Sequence, residues 1–151
     1  NIYAKELFIS GEAQDFLAAR DFFKASCTDE TRGQDELVEA ACVAARAARI
    51  AGDVPDFFKY AMKAVASEGC AEICCELGAF YLERQDYEEA IVWLYNAACE
   101  TESILNIHCG GDLPLRGLAA CYQALGNEEQ AAEYTRLAAQ WQRQDGGESA
   151  T

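Results

Sequence analysis

Few residues in this 151-residue chain are of a type and spacing that could do chemistry. His108 stands beside Cys109, and an imidazole can activate a thiol for nucleophilic attack. The pair is followed by Gly110-Gly111, however, and neighbours on a flexible loop lack the third group that orients a catalytic base. The glycines form no phosphate loop, because no Gly-x4-Gly-Lys-Ser/Thr pattern follows them. Glu88-Glu89 and Glu128-Glu129 open helical stretches, where carboxylates favour the positive end of the helix dipole. Of the eight cysteines, Cys42, Cys70, Cys74, Cys75, Cys99 and Cys121 lie in alanine-rich amphipathic segments and read as small buried hydrophobes. Cys70 and Cys74 share a helix face, but one histidine and no Cys-x2-Cys leave a zinc site without four ligands. The pattern predicts no catalytic centre, no cofactor and no metal, with reduced thiols in a cytoplasmic setting.

Charge narrows the partners. The chain has 26 acidic and 12 basic residues, a net charge of -14, and repels phosphate backbones and anionic head groups alike. Nucleic acid and membrane surfaces are thereby disfavoured, and no apolar run approaches the roughly 20 residues that span a bilayer. With 51% apolar residues the chain can bury a core, and only Pro55 and Pro114 interrupt alanine-rich stretches, which predicts an all-α fold. Asn1, Ile2 and Tyr3 enter a helical pattern at once, as expected of a segment cut from a longer polypeptide.

Self-similarity organises the elements. Gly11-Glu-Ala-Gln-Asp-Phe16, Gly52-Asp-Val-Pro-Asp-Phe57, Gln85-Asp-Tyr-Glu-Glu-Ala90 and Gly126-Asn-Glu-Glu-Gln-Ala131 align, with starts 41, 33 and 41 residues apart. In the third unit Leu77, Gly78, Tyr81, Ala90, Leu94 and Ala97 match the spacing Leu-Gly-x2-Tyr, Ala, large apolar, Ala. The unit resembles a tetratricopeptide repeat, whose period is about 34 residues, so the longer gaps imply insertions of about seven. Gly78 and Ala90 fall where the two helices of such a pair cross closely. The fourth unit keeps Leu118, Ala119, Tyr122, Gly126, Ala131 and Ala138, with Thr135 in place of a large apolar residue. The second keeps Ala44, Ala45, Gly52 and Ala64 but puts Phe57 at a small-residue position. The first retains Tyr3, Ala4, Leu7 and Gly11.

Helices are therefore predicted at about 2–10, 14–26, 34–51, 55–67, 70–84, 87–101, 112–125 and 128–143. They make about four hairpins stacked in a right-handed superhelix over residues 1–144, with 145–151 as a flexible tail. Residues 26–33 and 102–112 are the candidate insertions. Trp93, Tyr95, Trp141 and Phe22-Phe23 are expected in core or inter-repeat packing. Projecting the repeat register puts Lys5, Arg46, Arg49, Glu72, Glu83, Arg116 and Gln123 on the concave surface. A basic inner stripe in so acidic a chain could capture the carboxylates of a protein or peptide by charge-assisted bonds. The same residues also serve, in the plainer reading, as solvated charges or as partners of Glu39 and Glu72.

From Tyr3 to Trp141 the chain also resembles the repeat region that follows the catalytic domain in family 2 glycosyltransferases of Gram-positive bacteria. The resemblance rests on the run Ala71–Leu94 and on the insertion before Leu113-Pro-Leu-Arg-Gly-Leu-Ala-Ala-Cys-Tyr122. It implies a parent enzyme that transfers a sugar from a nucleotide donor, with this segment recognising an acceptor, positioning the catalytic domain or dimerising. The Asp-x-Asp element of those transferases is absent here. Three expectations follow: a peptide-binding scaffold, a glycosyltransferase accessory domain, or a self-associating module that forms homo-oligomers.

Overall fold

The computed structural model describes Ala18 and residues 34–67 and 69–149, with side chains at 18, 37–66 and 69–141. Among the described residues every regular element is a helix: α1 (Gln34–Ala51), α2 (Val54–Ser67), α3 (Ala71–Glu83), α4 (Tyr87–Tyr95), α5 (Asp112–Ala124) and α6 (Glu128–Ser149). A π-helical turn, Asn96–Glu100, prolongs α4, and a 3-10 turn, Ile107–Gly110, interrupts the connection to α5. The all-α expectation holds for these residues, and α1 has the predicted bounds. The helix predicted to stop at 143 runs on to Ser149, through Gly146 and Gly147. The helices expected at 2–10 and 14–26, the insertion at 26–33, Lys5 and Phe22-Phe23 lie outside the described residues, Ala18 alone excepted.

Three turns of one design join the helices in pairs. After α1, α3 and α5 the chain enters the left-handed region at Gly52 (φ 81°), Gln85 (φ 62°) and Gly126 (φ 83°). The next residue then donates its N–H five residues back, from Asp53 to Ala48, Asp86 to Tyr81 and Asn127 to Tyr122, each at 2.9 Å. These bonds satisfy carbonyls that the ending helix leaves open. The same Asp or Asn caps the following helix: Asp53 Oδ1 accepts from Asp56 N at 3.1 Å, Asp86 Oδ1 from Glu89 N at 3.4 Å and Asn127 Oδ1 from Gln130 N at 3.1 Å. Each cap contributes about 1 kcal/mol. Pro55 sits in the first turn of α2, where its missing N–H has no intrahelical acceptor to lose.

The pairs α1–α2, α3–α4 and α5–α6 pack internally, and α1, α3 and α5 touch in succession. Small residues set the approach of α3 and α4. A Cβ on Gly78 would lie 2.5 Å from Leu94 Cδ2, while Ala90 and Ala97 are fully buried. Phe57, which replaces a small residue, is fully buried because α3 makes room for it. It stacks on Phe80 with centroids 4.8 Å apart and meets Phe58 edge-on at 5.3 Å. One core joins these rings to the alanine face of α1 and reaches Leu105 and Cys109 of the connection. A smaller core, Ala90, Leu94, Leu118 and Cys121, carries the last pair, roofed by the stacked rings of Tyr122 and Tyr134. The cysteine expectation needs one correction: Cys99, on the π-helical turn, is exposed and Cys75 half-buried, whereas Cys42, Cys70, Cys74 and Cys121 are buried.

Candidate binding groove

α1 carries Arg46 and Arg49 three residues apart, so both project from one face toward α3. Residues 75, 76, 79 and 82 of α3 form the facing wall, and Leu94, Asn106, Cys109, Leu113 and Gly117 complete a cavity of about 320 Å3. Its centre is Glu76, only 3% exposed. Arg46 Nη1 donates to Glu76 Oε1 at 2.9 Å and Arg49 Nε to Oε2 at 2.5 Å, while Arg49 Nη1 also pairs with Glu83. Burial of the Arg49 guanidinium works against its charge, but Glu76 and then Glu83 outweigh that cost and raise its pKa. The cluster ties the first helical pair to the second. Beside it lies an apolar floor of Leu82, Leu94 and Leu113, the last 42% exposed.

The structure brings together only part of the predicted concave set. Arg46, Arg49 and Glu83 meet as described. Arg116 does not join them: 53% exposed, it pairs within α5 with Asp112 Oδ2 at 3.3 Å and does not line the cavity. Gln123 is exposed near the end of α5, away from the cavity. Glu72 is the clear correction. It is fully buried and faces the connection, where its carboxylate accepts the backbone N–H groups of Ile104, Leu105 and Asn106 at 2.7–3.0 Å. Repeat register misplaces Glu72 because the connection folds back onto the first turn of α3. There the helix dipole favours a carboxylate and three converging N–H groups replace its lost hydration. The arginines pair with Glu76 and Glu83, while Glu72, which the plainer reading named with Glu39 as a partner, is held by backbone N–H groups.

The His108–Cys109 stretch is also unlike its sequence expectation. His108 Nδ1 lies 2.7 Å from Asp112 Oδ1, so an orienting carboxylate is present, and the ring meets Trp141 edge-on at 5.3 Å. Gly111 is pressed against that indole, since a Cβ there would fall 2.2 Å from Trp141 Cε2. Cys109 points elsewhere. It is 3% exposed and hydrogen-bonds with Cys75, and that bond followed by burial pushes its thiol well above the usual range. A nucleophilic cysteine needs the opposite shift. The spacing of four between His108, Asp112 and Arg116 was the available signal for this ladder.

Among the described residues no group of three or more His, Cys, Asp and Glu side chains is placed to hold a metal ion. No described helix is long and apolar enough to cross a membrane. Comparison of the chain with models of known protein families and with the curated proteins gives no match.

Proposed function

We propose that this chain is a tetratricopeptide-like module, a right-handed superhelix of helical hairpins that binds a segment of another protein along the row formed by α1, α3 and α5. The repeated left-handed turn with its Asp or Asn cap, at Gly52, Gln85 and Gly126, supports the repeat reading. The observation that carries the binding reading is the groove itself: about 320 Å3, with an arginine pair on one wall and exposed Leu113 on the other. Such a surface suits an extended peptide that seats one apolar side chain on Leu82, Leu94 and Leu113. A carboxylate one or two residues away then reaches the outer edge of Arg46, which is 26% exposed. The role is binding, without catalysis by this segment.

A displayed peptide library selected on the 151-residue chain tests this. Enrichment of sequences with an apolar residue next to Asp or Glu, lost when selection is repeated on Leu113→Glu, is the expected result. Equal enrichment on both proteins rejects the groove. Leu113 is half out of the fold, so its substitution leaves the core intact.

A second reading is supported by the built-in connection between α4 and α5, one of the two features on which the glycosyltransferase resemblance rests. In that reading the segment serves a family 2 glycosyltransferase as an acceptor-recognition or dimerisation domain. The open reading frame around this segment separates the two: a preceding α/β domain with an Asp-x-Asp element favours the second.

A further inference from the structure

Part of the groove is walled by the connection between α4 and α5, and there Asn106 leaves a hydrogen-bond donor unused. Its backbone N–H donates to Glu72 Oε2 at 2.7 Å, its carbonyl accepts from Cys109 N at 2.9 Å and its Oδ1 accepts from His108 N at 3.1 Å. These three bonds fix both the backbone and the plane of the side-chain amide. A backbone N–H can only donate, so the side-chain atom that meets His108 N is the oxygen, and the other terminus is Nδ2. Nδ2 donates to no described residue and is not sealed from solvent. The groove therefore holds a neutral donor in one orientation, on a different wall from Arg46 and Arg49, with Leu82, Leu94 and Leu113 lining the same cavity.

We propose that Asn106 reads the main chain of the bound segment, donating from Nδ2 to a backbone carbonyl beside the apolar anchor, so that the groove takes an extended segment and rejects a helix. This inference rests on the peptide-binding reading of the groove. A helical partner commits its interior carbonyls to its own N–H groups four residues on. An extended partner leaves carbonyls free along its edge. Only the second has an acceptor for a donor that cannot turn away, and a donor left unpaired on binding weakens the complex. The acceptor is a neutral carbonyl and not a second carboxylate, because the Glu72 carboxylate, bonded to the N–H of Asn106 itself, disfavours another anion beside it. Every sequence has a main chain, so this contact selects conformation and register. The apolar floor and the edge of Arg46 select side chains.

The test uses the full chain and a synthetic peptide from the library selection, with an apolar residue next to Glu at its centre, together with a series in which each backbone amide in turn is replaced by an ester. An ester carbonyl is a weaker acceptor than an amide carbonyl. On the parent chain one ester should weaken binding about fivefold, read by calorimetry. Asn106→Asp and Asn106→Ser both keep an oxygen for the His108 N–H and lose Nδ2. In each, that same ester should have no effect, while the other esters act as they do on the parent chain. Circular dichroism confirms that the variants are folded, and should one fail to fold the other completes the comparison. On the isotopically labelled parent chain the side-chain amide signal of Asn106 should move downfield as peptide is added. Binding that is lost in Leu113→Glu but gives the same ester profile on the parent chain and on Asn106→Ser overturns the inference and leaves the groove reading standing. A peptide that becomes helical on binding, seen in transferred nuclear Overhauser effects, overturns it as well. Binding unchanged in Leu113→Glu removes the groove reading, and this inference with it.

Discussion

Glu72 and Glu76 stand one turn apart on α3, both almost fully buried, and do different work. Glu72 is enclosed by backbone N–H groups of the connection and holds that segment in place. Glu76 is enclosed by two arginine side chains and holds α1 against α3 while leaving part of that cluster in contact with a cavity. Backbone donors cannot swing away if their acceptor is lost, whereas guanidinium groups on long stems can return to water. The difference separates a carboxylate that holds the connection from one that lines the groove.

The largest expected effect comes from Glu72→Ala. Three N–H groups, that of Leu105 buried and those of Ile104 and Asn106 part-buried, lose their acceptor together, and chemical denaturation should register a loss of about 3–5 kcal/mol. Faster hydrogen exchange confined to residues 104–106 would accompany it. Glu76→Gln keeps the volume and one acceptor, and Arg46 and Arg49 are 26% and 13% exposed, so the loss should be about 1–3 kcal/mol. Equal costs for the two variants would erase the distinction drawn between them.

Cys74 lies between the two carboxylates, and burial pushes its thiol from an ordinary value of 9.0 up to about 11. The folded state then binds the proton more tightly than the unfolded state does. The associated stability is fully present below about pH 9 and is lost as pH rises from there toward about 11. Thermal unfolding should show a melting temperature that falls over this window, and less steeply in Cys74→Ala. At the exit of α3 the expected effect is smallest and of opposite sign. Gln85 is the one non-glycine residue with positive φ among the described residues, and Gln85→Gly should stabilise by about 1 kcal/mol in urea titration.

Much of the fold was legible because its signals belong to side-chain types. Gly52-Asp53, Gln85-Asp86 and Gly126-Asn127 align in sequence because a left-handed residue followed by an Asx cap is a chemical requirement of that turn. Arg46 and Arg49, which the repeat register projects onto one surface, both bond Glu76. Glu72 was not, because its partners are backbone N–H groups, which leave no mark in the residue types of 104–106. Arg116 was misassigned although Asp112, four residues before it, offered the nearer partner. Phe57 looked out of place in its own helical pair because the ring that receives it, Phe80, belongs to the next. Inter-pair contacts and irregular connections, the parts that shape the groove, are the parts that periodicity does not encode.

The central claim is that the cavity between α1, α3 and α5 is the surface that receives a peptide. Titration of the isotopically labelled chain with a peptide enriched in the library selection, followed by NMR, tests it most directly. The account predicts shift changes concentrated at residues 46, 49, 76, 82 and 113 and a dissociation constant at least tenfold weaker for Leu113→Glu. Shift changes confined to the outer faces of α2 and α6, with Leu113→Glu binding as well as the parent chain, would contradict it.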